Sequence, residues 1–336
     1  MRNLRLVQEN FGSISQIKLK ESEVPIPNNN EVLVEVFSIG VSFADVLAYE
    51  GNYQDKPDLP FVAGLEVSGV VVAKGKAITS LDIGDEVIAL TKWGGFSEYV
   101  TVDVNYVLKK SSNISHSIAS TIIINYGTSI YTIEDRLACE ENCRVIILGA
   151  SGGIGLACIE LLKIKNAEIT AVASSQDKLN ECKKYGATNL ILREPDKSLK
   201  QILRENKVKK VDYIIDTIGG QETIDSLSFL NWEGSLVPMG FASGDISNIP
   251  ANLILLKNIS IVGVFWGPFA RGNNNFNLNS INKINDYYDQ GLLKIANPTK
   301  VKFENYLEAF KAIKERKSIG KLCLITEKYN QKKGRP

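Results

Sequence analysis

Short apolar runs rich in β-branched residues dominate the first third of the chain. They lie at 31–40, 66–73 and 85–90, and turns that contain proline or glycine separate them. This spacing is typical of a compact β-rich unit. A helical pattern at 42–50 interrupts the strands, and a longer helical region with a polar start is predicted at 115–137.

From Arg144 onward, apolar runs alternate with helical stretches such as 154–165 and 177–185. Short apolar strands joined by crossover helices predict an α/β fold with a doubly wound parallel sheet of the Rossmann type. The predicted strands of this sheet are 144–149, 168–173, 189–192, 211–216, 235–239 and 259–264. An asparagine-rich loop and two helical patterns follow, and a final β-like run at 321–326 closes the predicted fold.

Composition narrows the classes of function. The 336 residues suggest two domains, and a formal net charge of +1 gives no excess that would attract nucleic acid or an anionic membrane. One histidine excludes a metal cage built mainly from histidines, and five cysteines fit a reducing compartment better than a disulfide framework. No apolar stretch approaches the roughly 18 residues of a membrane span, and the N-terminus lacks the apolar block of a targeting signal. We therefore expect a cytoplasmic protein.

The strongest local motif is RVIILGASGGIG at 144–155, where an apolar strand runs into a glycine-rich turn and a helix begins. Its match to G-x-G-x-x-G is imperfect because Ala150 occupies the first glycine position. Small residues let backbone N–H groups approach a pyrophosphate, and the helix N-terminus favours its negative charge. The run could be only a tight turn, but the surrounding strands and helices favour a dinucleotide site. The predicted contacts are Ser151, Gly152, Gly153, Ile154 and Gly155.

The end of the second predicted strand indicates which dinucleotide is bound. An NAD site places Asp or Glu there to hold the ribose 2′-hydroxyl, whereas this strand ends in Ser174 and Ser175. Lys178 follows within one helical turn, and Arg193 follows the third strand. Hydroxyls and cations suit a 2′-phosphate, so we expect NADP(H). The alternative is that Lys178 and Arg193 are solvated surface charges.

Further blocks of sequence extend along nearly the whole chain. They are GVSFADVLAYEGNYQDKPDLPFVAGLEVSGVV at 40–71, IGDEV at 83–87, GGFSEYV at 94–100, NYGTSIYT at 125–132, LGASGGIGLA at 148–157, GFASGDISNIPANLILLKNISIVGVFWG at 240–267 and GK at 320–321. Together they resemble the zinc-free medium-chain dehydrogenases/reductases of the NADPH:quinone oxidoreductase family. The resemblance implies a β-rich, GroES-like catalytic domain made from 1–125 and 266–336, with a Rossmann NADP-binding domain at 126–265.

The resemblance also bears on metals. Zinc members of the superfamily carry a cysteine where this chain has Ser42, and a Gly-His-Glu sequence where it has Leu65 before Glu66. No cysteine precedes Cys139, so neither zinc site of the superfamily can be built and no metal is expected. Quinone reductase relatives usually have asparagine at Ser42 and often a tyrosine near Arg193, and this chain departs from both patterns.

Without a metal to polarise a carbonyl, the hydride acceptor must already be electrophilic and conjugated. Tyr53 is the expected proton donor, by resemblance to a tyrosine of related enoyl reductases; a phenol with a pKa of ~10 can donate without ionising. The alternative is an aromatic side chain that packs on a loop. Ser42 could donate a hydrogen bond at the same site, and Asp45 is expected to cap or position a helix. The remaining cofactor contacts implied by the resemblance are Thr128, Gly240, Phe241, Ser243, Phe265, Trp266 and Lys321.

Three functions stay open at this point. The leading hypothesis is an NADPH-dependent reductase of quinones, and the second is an NADPH-dependent reductase of enones or of enoyl or acrylyl thioesters. The third is a nucleotide-binding protein with little catalysis. The expected partner is a small conjugated acceptor rather than nucleic acid or a membrane. A homodimer is expected from the resemblance, with edge pairing of the strand at 259–264.

Overall fold

The computed structural model describes residues 2–329, with the backbone alone at 274–278. It divides into two compact units. Unit 1 contains the described residues within Met1–Ile124, Arg271–Asn285 and Ile295–Pro336, and unit 2 contains Asn125–Ala270 and Asp286–Lys294. The sequence-based limits assigned 1–125 and 266–336 to the first domain, whereas 125, 266–270 and 286–294 belong to unit 2.

Each predicted strand has a counterpart in the structure, whereas five short strands were not predicted and the stretch expected to be an asparagine-rich loop, 273–277, lies almost wholly in a helix. The strands are β1 (Arg2–Val7), β2 (Lys18–Glu23), β3 (Glu31–Val41), β4 (Glu66–Lys74), β5 (Glu86–Leu90), β6 (Tyr99–Asp103), β7 (Val107–Lys109), β8 (Arg144–Leu148), β9 (Glu168–Ala173), β10 (Asn189–Leu192), β11 (Val211–Asp216), β12 (Leu230–Pro238), β13 (Ser260–Ile261), β14 (Thr299–Lys302) and β15 (Leu322–Ile325). The α-helices are α1 (Phe43–Glu50), α2 (His116–Ala119), α3 (Ile122–Ile130), α4 (Gly153–Ile164), α5 (Gln176–Tyr185), α6 (Leu199–Glu205), α7 (Gly220–Ser226), α8 (Ala251–Lys257), α9 (Trp266–Gly272), α10 (Asn274–Asp289) and α11 (Tyr306–Lys314). A π-helical segment, Tyr131–Arg136, continues α3.

Unit 1 is built on a seven-stranded sheet in the order β14-β15-β3-β4-β5-β7, and β6 also pairs with β3. The long strand β3 is buried along most of its length because it pairs with β4, β6 and β15. β15 joins this sheet antiparallel to β3, which brings the C-terminal part of the chain beside the N-terminal part. A separate two-stranded ribbon, β1 and β2, completes the strands of this unit.

Unit 2 is a six-stranded parallel sheet in the order β10-β9-β8-β11-β12-β13. This is the strand order of a doubly wound nucleotide-binding sheet, with the order reversing between β8 and β11. The central strands β8 and β9 are mostly buried and apolar, as expected where helices cover both faces of such a sheet. The expected α/β architecture, a Rossmann sheet together with a β-rich unit, is confirmed.

Among residues 2–329, no helix combines the length and the apolar character that a crossing of the bilayer requires.

Candidate active site

The glycine-rich turn of unit 2 connects the central strand β8 to α4. Gly149 has φ +73°, and Gly152, the N-cap residue of α4, makes no side-chain cap hydrogen bond. The first N–H groups of a helix point out of its N-terminus, where they can bind an anion. A Cβ on Gly155 would lie 2.5 Å from the Ala150 carbonyl oxygen, so this glycine allows α4 to pack closely on the turn.

The C-terminal ends of the neighbouring strands form the rest of this edge of the sheet. The Thr217 hydroxyl, after β11, donates to the Leu148 carbonyl at 3.0 Å, and the Ser243 and Ala242 amides donate to the turn that follows β11. Gly240 and Phe241 therefore lie at the same edge as the glycine-rich turn. Ligands of doubly wound sheets bind at this edge, where the strand order reverses.

Asp216 is a residue that the sequence analysis missed. It ends β11, is fully buried, and accepts hydrogen bonds from the Ile218 and Gly219 amides and from the Thr223 hydroxyl. Burial raises the pKa of Asp216, and these hydrogen bonds oppose the rise. Its carboxyl group shapes the turn against which Gly240–Ser243 pack. A carboxylate at the end of a strand, three residues before the first of two consecutive glycines, was the available signal.

The end of β9 shows how the predicted phosphate contacts are arranged. The Lys178 ammonium lies 3.1 Å from the Ser174 hydroxyl, and Ser175 caps α5 by accepting from the Lys178 amide at 3.4 Å. Ser174 and Lys178 are thus brought together, whereas the Ser175 hydroxyl is used by the helix cap.

Arg193 does not join these contacts. Its guanidinium pairs with Glu222 at 2.7 Å and donates to the Glu194 and Lys197 carbonyls. A hydrogen bond between two charged groups is stronger than a neutral one and holds the guanidinium beside Glu222. The predicted phosphate-binding role of Arg193 is therefore not supported by its contacts in the structure.

The predicted nicotinamide-side residues of unit 2 surround the end of α3. Trp266 is buried and its indole ring packs on Gly127: a Cβ there would lie 2.5 Å from the ring. Thr128 is the next residue and is also buried, and its carbonyl accepts from Thr132, whose hydroxyl lies 3.9 Å from the Met239 sulfur. Phe265 is half exposed. Thr128 and Trp266 are thus brought into one neighbourhood of unit 2.

In unit 1, Ser42 and Asp45 form a capping box at the start of α1. The Ser42 amide and hydroxyl donate to Asp45 Oδ2 at 2.7 and 2.6 Å, and the Asp45 amide donates back at 3.4 Å. The Ser42 hydroxyl hydrogen is therefore committed to Asp45, which opposes its predicted role as a donor. The helix-capping role expected for Asp45 is what the structure shows.

Asp45 is buried, and Gly64 donates a further hydrogen bond to it. Burial raises the pKa of Asp45 to about 6, and the hydrogen bonds from Ser42 oppose this effect. Short hydrogen bonds thus hold the Asp45 carboxyl group in a buried position, where burial disfavours its ionised form.

Tyr53 follows α1 in the same unit. It is half buried, and its hydroxyl makes no hydrogen bond within the described part of unit 1 or elsewhere in residues 2–329. Burial raises the pKa of Tyr53; the Asp45 and Asp55 carboxylates add to the rise, and Arg271 opposes it. Asp55 in turn lies 3.5 Å from Arg271 and 3.4 Å from Lys92. The Tyr53 side chain is therefore a protonated phenol that makes no hydrogen bond to the described residues.

Lys321 has a different environment from the predicted one. Its ammonium lies 2.9 Å from Glu66 Oε1, and both side chains are almost fully buried. A Cβ on Gly40 would lie 2.7 Å from Glu66 Oε1, so glycine there makes room for the carboxylate. Burial raises the pKa of Glu66, and Lys321 opposes the rise. The Lys321 side chain therefore belongs to the interior of unit 1, and its predicted contact with cofactor is not supported.

The residues at the zinc positions of the superfamily do not fit zinc. Ser42 and Leu65 replace the cysteine and histidine, and the remaining carboxylate, Glu66, already holds an ammonium group. Among the described residues, no group of three or more histidine, cysteine, aspartate or glutamate side chains could hold a metal ion.

Comparison with known proteins agrees with both units. Residues 28–112 match the family model described as alcohol dehydrogenase GroES-like domain, and residues 153–278 match the one described as zinc-binding dehydrogenase. The quinone oxidoreductase-like protein 2 of Rattus norvegicus is 34% identical over 301 residues, which cover 88% of this chain and 84% of that protein.

Solved structures show the same fold. The Escherichia coli quinone oxidoreductase complexed with NADPH has a TM-score of 0.89 and 21% identity, and covers 96% of this chain and 99% of its own. The CurK enoyl reductase has a TM-score of 0.84 and 24% identity, with 96% and 99% covered. The chain is therefore an oxidoreductase that belongs to the quinone oxidoreductase family of the medium-chain dehydrogenases/reductases.

Proposed function

We propose that this protein is a zinc-independent, NADPH-dependent oxidoreductase that reduces a conjugated acceptor, with a quinone as the leading class. The observation that carries the proposal is the edge of the unit 2 sheet. There an α4 N-terminus without a side-chain cap lies at the reversal of strand order, and Ser174 and Lys178 stand together where an NAD site would place a carboxylate.

The cofactor fits these residues by its chemistry. Backbone N–H groups at Gly152–Gly155 suit the pyrophosphate, and the Ser174 hydroxyl with the Lys178 ammonium suits a 2′-phosphate. The E. coli relative of the same fold was solved with NADPH. When bound, NADPH supplies the hydride. Thr128, Gly240, Phe241, Ser243 and Trp266 are proposed as further contacts.

The chemistry of unit 1 restricts the acceptor. Ser42, Leu65 and the Glu66–Lys321 pair supply no zinc site, so nothing from this set would act as a Lewis acid on an isolated carbonyl. A quinone needs only hydrogen-bond donors to its developing oxyanion. Tyr53 is the proposed donor because its hydroxyl is protonated and makes no internal hydrogen bond, while the Ser42 hydroxyl is bound to Asp45.

Tyr53 also favours a second candidate function, reduction of a carbon–carbon double bond conjugated to a carbonyl. A phenol held in its protonated form can transfer a proton to an enolate. Reduction of a double bond requires this proton transfer, whereas reduction of a quinone does not strictly require it. The enoyl reductase of the same fold is consistent with this alternative.

A homodimer is the proposed assembly. β13 stands at the edge of the unit 2 sheet, and it pairs with β12 alone among the described strands. Leu255 and Leu256 on the preceding helix α8 are 79% and 70% exposed. An open sheet edge beside exposed leucines could pair with the same edge of a second copy of this chain.

Light scattering tests the dimer, and the measured mass should be twice the 37.0 kDa of one chain. Leu255→Glu should give a monomer. Ile83→Glu, which changes an exposed site in unit 1, should remain a dimer.

One assay tests the function. Purified protein is mixed with NADPH or NADH and a panel of a naphthoquinone, phenanthrenequinone, an enone and an enoyl thioester, and cofactor oxidation is followed. We expect oxidation of NADPH in preference to NADH with a quinone, before and after treatment with a zinc chelator. Turnover with only the enoyl thioester or enone would favour the second function. Tight NADPH binding without turnover of any acceptor would contradict both and favour a non-catalytic nucleotide-binding protein.

A further inference from the structure

An uneven cluster of charges lies beside Tyr53 in unit 1. Lys92 Nζ lies 3.4 Å from Asp55 Oδ2, and a guanidinium nitrogen of Arg271 lies 3.5 Å from the same oxygen. Within the described residues, Asp55 has no further ion pair and neither cation has a second carboxylate. These three side chains, the Asp55 cluster, therefore carry a surplus of one positive charge.

The two cations of the Asp55 cluster keep their N–H donors. A good N–H···O hydrogen bond spans about 2.7–3.2 Å, so both contacts with Asp55 are too long. Neither side chain donates a hydrogen bond elsewhere in the part of the chain that the structure describes. The Lys92 and Arg271 side chains are 54% and 33% exposed. Both can therefore bind a further group that accepts hydrogen bonds.

A second carboxylate of unit 1 also meets two cations, and its geometry is different. Glu9 accepts a hydrogen bond from Lys18 at 3.0 Å through one oxygen and from Lys20 through the other. Each lysine there has an oxygen of its own, whereas the two cations of the Asp55 cluster share one. Glu9 thus satisfies both of its partners, and Asp55 does not.

Aromatic rings accompany the Asp55 cluster. Trp93 directly follows Lys92, and Tyr53 precedes Asp55 by two residues. Both rings are partly buried and pack against the hydrophobic core of unit 1. The charges act on the phenol, because Asp55 raises the pKa of Tyr53 and Arg271 opposes the rise. Charged donors therefore lie close to the aromatic side chain that is the proposed proton donor.

We propose that the Asp55 cluster binds an anionic group, a carboxylate, sulfonate or phosphate, that the conjugated acceptor carries beside its reducible ring or double bond. This inference rests on the proposed function and deepens it by naming the class of acceptor. Lys92 and Arg271 supply charged donors, which bind such groups more strongly than neutral donors do. In the free protein Asp55 holds the two cations near each other, and it competes with the anion for them.

Two matched acceptors test the inference. Oxidation of NADPH is measured with a naphthoquinone and with the same naphthoquinone carrying a sulfonate. The ratio of kcat/KM for the sulfonated quinone to that for the neutral one is then compared between proteins, so that the intrinsic reactivity of each quinone cancels. Lys92→Met and Arg271→Met should each lower this ratio roughly tenfold, the lower end expected for loss of a hydrogen bond between charged groups.

A variant with the opposite expected effect separates binding from structural damage. Asp55→Asn removes the carboxylate that competes for the two cations, so it should raise the ratio. Lys18→Met is the matched control, because it also removes one of two cations from a carboxylate of unit 1, and its ratio should equal that of the wild type. Added salt should lower the wild-type ratio, since ions screen partly exposed charges.

The outcomes distinguish the inference from the proposed function. Turnover of the neutral quinone, with the wild-type ratio retained in Lys92→Met and Arg271→Met, would overturn the inference and leave the proposed function standing. Turnover of neither quinone would count against the proposed function. Calorimetric titration of the full-length protein with naphthalenesulfonate, which accepts no hydride, then decides the inference. The dissociation constant should rise roughly tenfold in Lys92→Met; no binding, or equal binding by both proteins, would overturn the anion site.

Discussion

Lys321 and Glu66 form a buried ion pair in unit 1, with 2.9 Å between Nζ and Oε1 and with 7% and 1% of their side chains exposed. Glu66 begins β4 and Lys321 immediately precedes β15, and both strands pair with β3. The sheet topology therefore brings the two side chains together, and each charge is the counter-ion of the other in the interior of unit 1.

Removing one partner should destabilise the protein strongly. Lys321→Met leaves the Glu66 carboxylate buried without its counter-ion, which we expect to lower the free energy of unfolding by about 3–5 kcal/mol. The double variant Glu66→Gln/Lys321→Met should recover much of that loss. The measurement is urea unfolding at neutral pH.

The nearby exposed pair is the matched control. Lys317 lies 2.6 Å from Glu315, and their side chains are 73% and 50% exposed. Lys317→Met should change stability by no more than about 1 kcal/mol, because water already screens the pair. A Lys321→Met protein as stable as this control, but with weakened NADPH binding, would return Lys321 to the cofactor site.

Asp45 should make stability depend on pH. Its folded pKa of about 6 lies above the ordinary value of 3.8, so the folded state binds the proton more tightly. The stabilising contribution of that proton is fully present below pH 3.8 and is lost as the pH rises to about 6. The deficit of Asp45→Asn relative to wild type should therefore shrink by up to roughly 3 kcal/mol across this window. Unfolding of both proteins at several pH values measures it, and a deficit that grows with pH would contradict the argument.

Lys178 should distinguish NADPH from NADH. Loss of a hydrogen bond between two charged groups costs about 1.5–3 kcal/mol, so Lys178→Met should raise KM for NADPH roughly 10- to 100-fold and leave KM for NADH almost unchanged. Lys183→Met removes an exposed lysine from the same helix and serves as the control. Equal effects of Lys178→Met on both cofactors would argue against a 2′-phosphate contact.

Tyr53→Phe tests the proton donor. A positioned acid contributes about 10²- to 10⁴-fold to rate, so kcat with an enoyl or enone acceptor should fall by a factor in this range while NADPH binding persists. Tyr106→Phe, which removes a hydroxyl bonded to the Arg271 carbonyl, is the control for loss of a phenol in unit 1. An unchanged kcat with every active acceptor would remove Tyr53 from the chemistry.

Much of the fold was predictable because buried strands have strong apolar patterns. The bounds of β3, β4 and β8–β12 lie within a few residues of the predicted runs, apart from the start of β12, which lies five residues earlier than predicted. Five strands were missed: β1, β2, β6, β7 and β14. β2 and β14 are exposed at most positions and lack a clear alternation, and β7 has only three residues. β13 is shorter than the predicted 259–264 because an edge strand has one neighbour to pair with.

The candidate site was only partly predictable. The glycine-rich turn and the Ser174–Lys178 contact are local in sequence, so the pattern of residues indicated them. Arg193 and Lys321 were assigned to the cofactor because their charge was visible, whereas their partners, Glu222 and Glu66, are brought to them by tertiary structure. A single sequence shows which residues carry charge but not which distant residue neutralises them.

The place of β15 in the sheet has a consequence for how the chain is synthesised. All strands of unit 2 lie in one continuous stretch, 144–261, whereas unit 1 needs β15, which is synthesised after all of them. Domains generally fold as units during synthesis. The nascent chain therefore holds the whole unit 2 sheet while β3 still lacks one of its three partners, β15. Until Lys321 emerges, Glu66 has no counter-ion, so unit 1 is completed only after unit 2 has been synthesised.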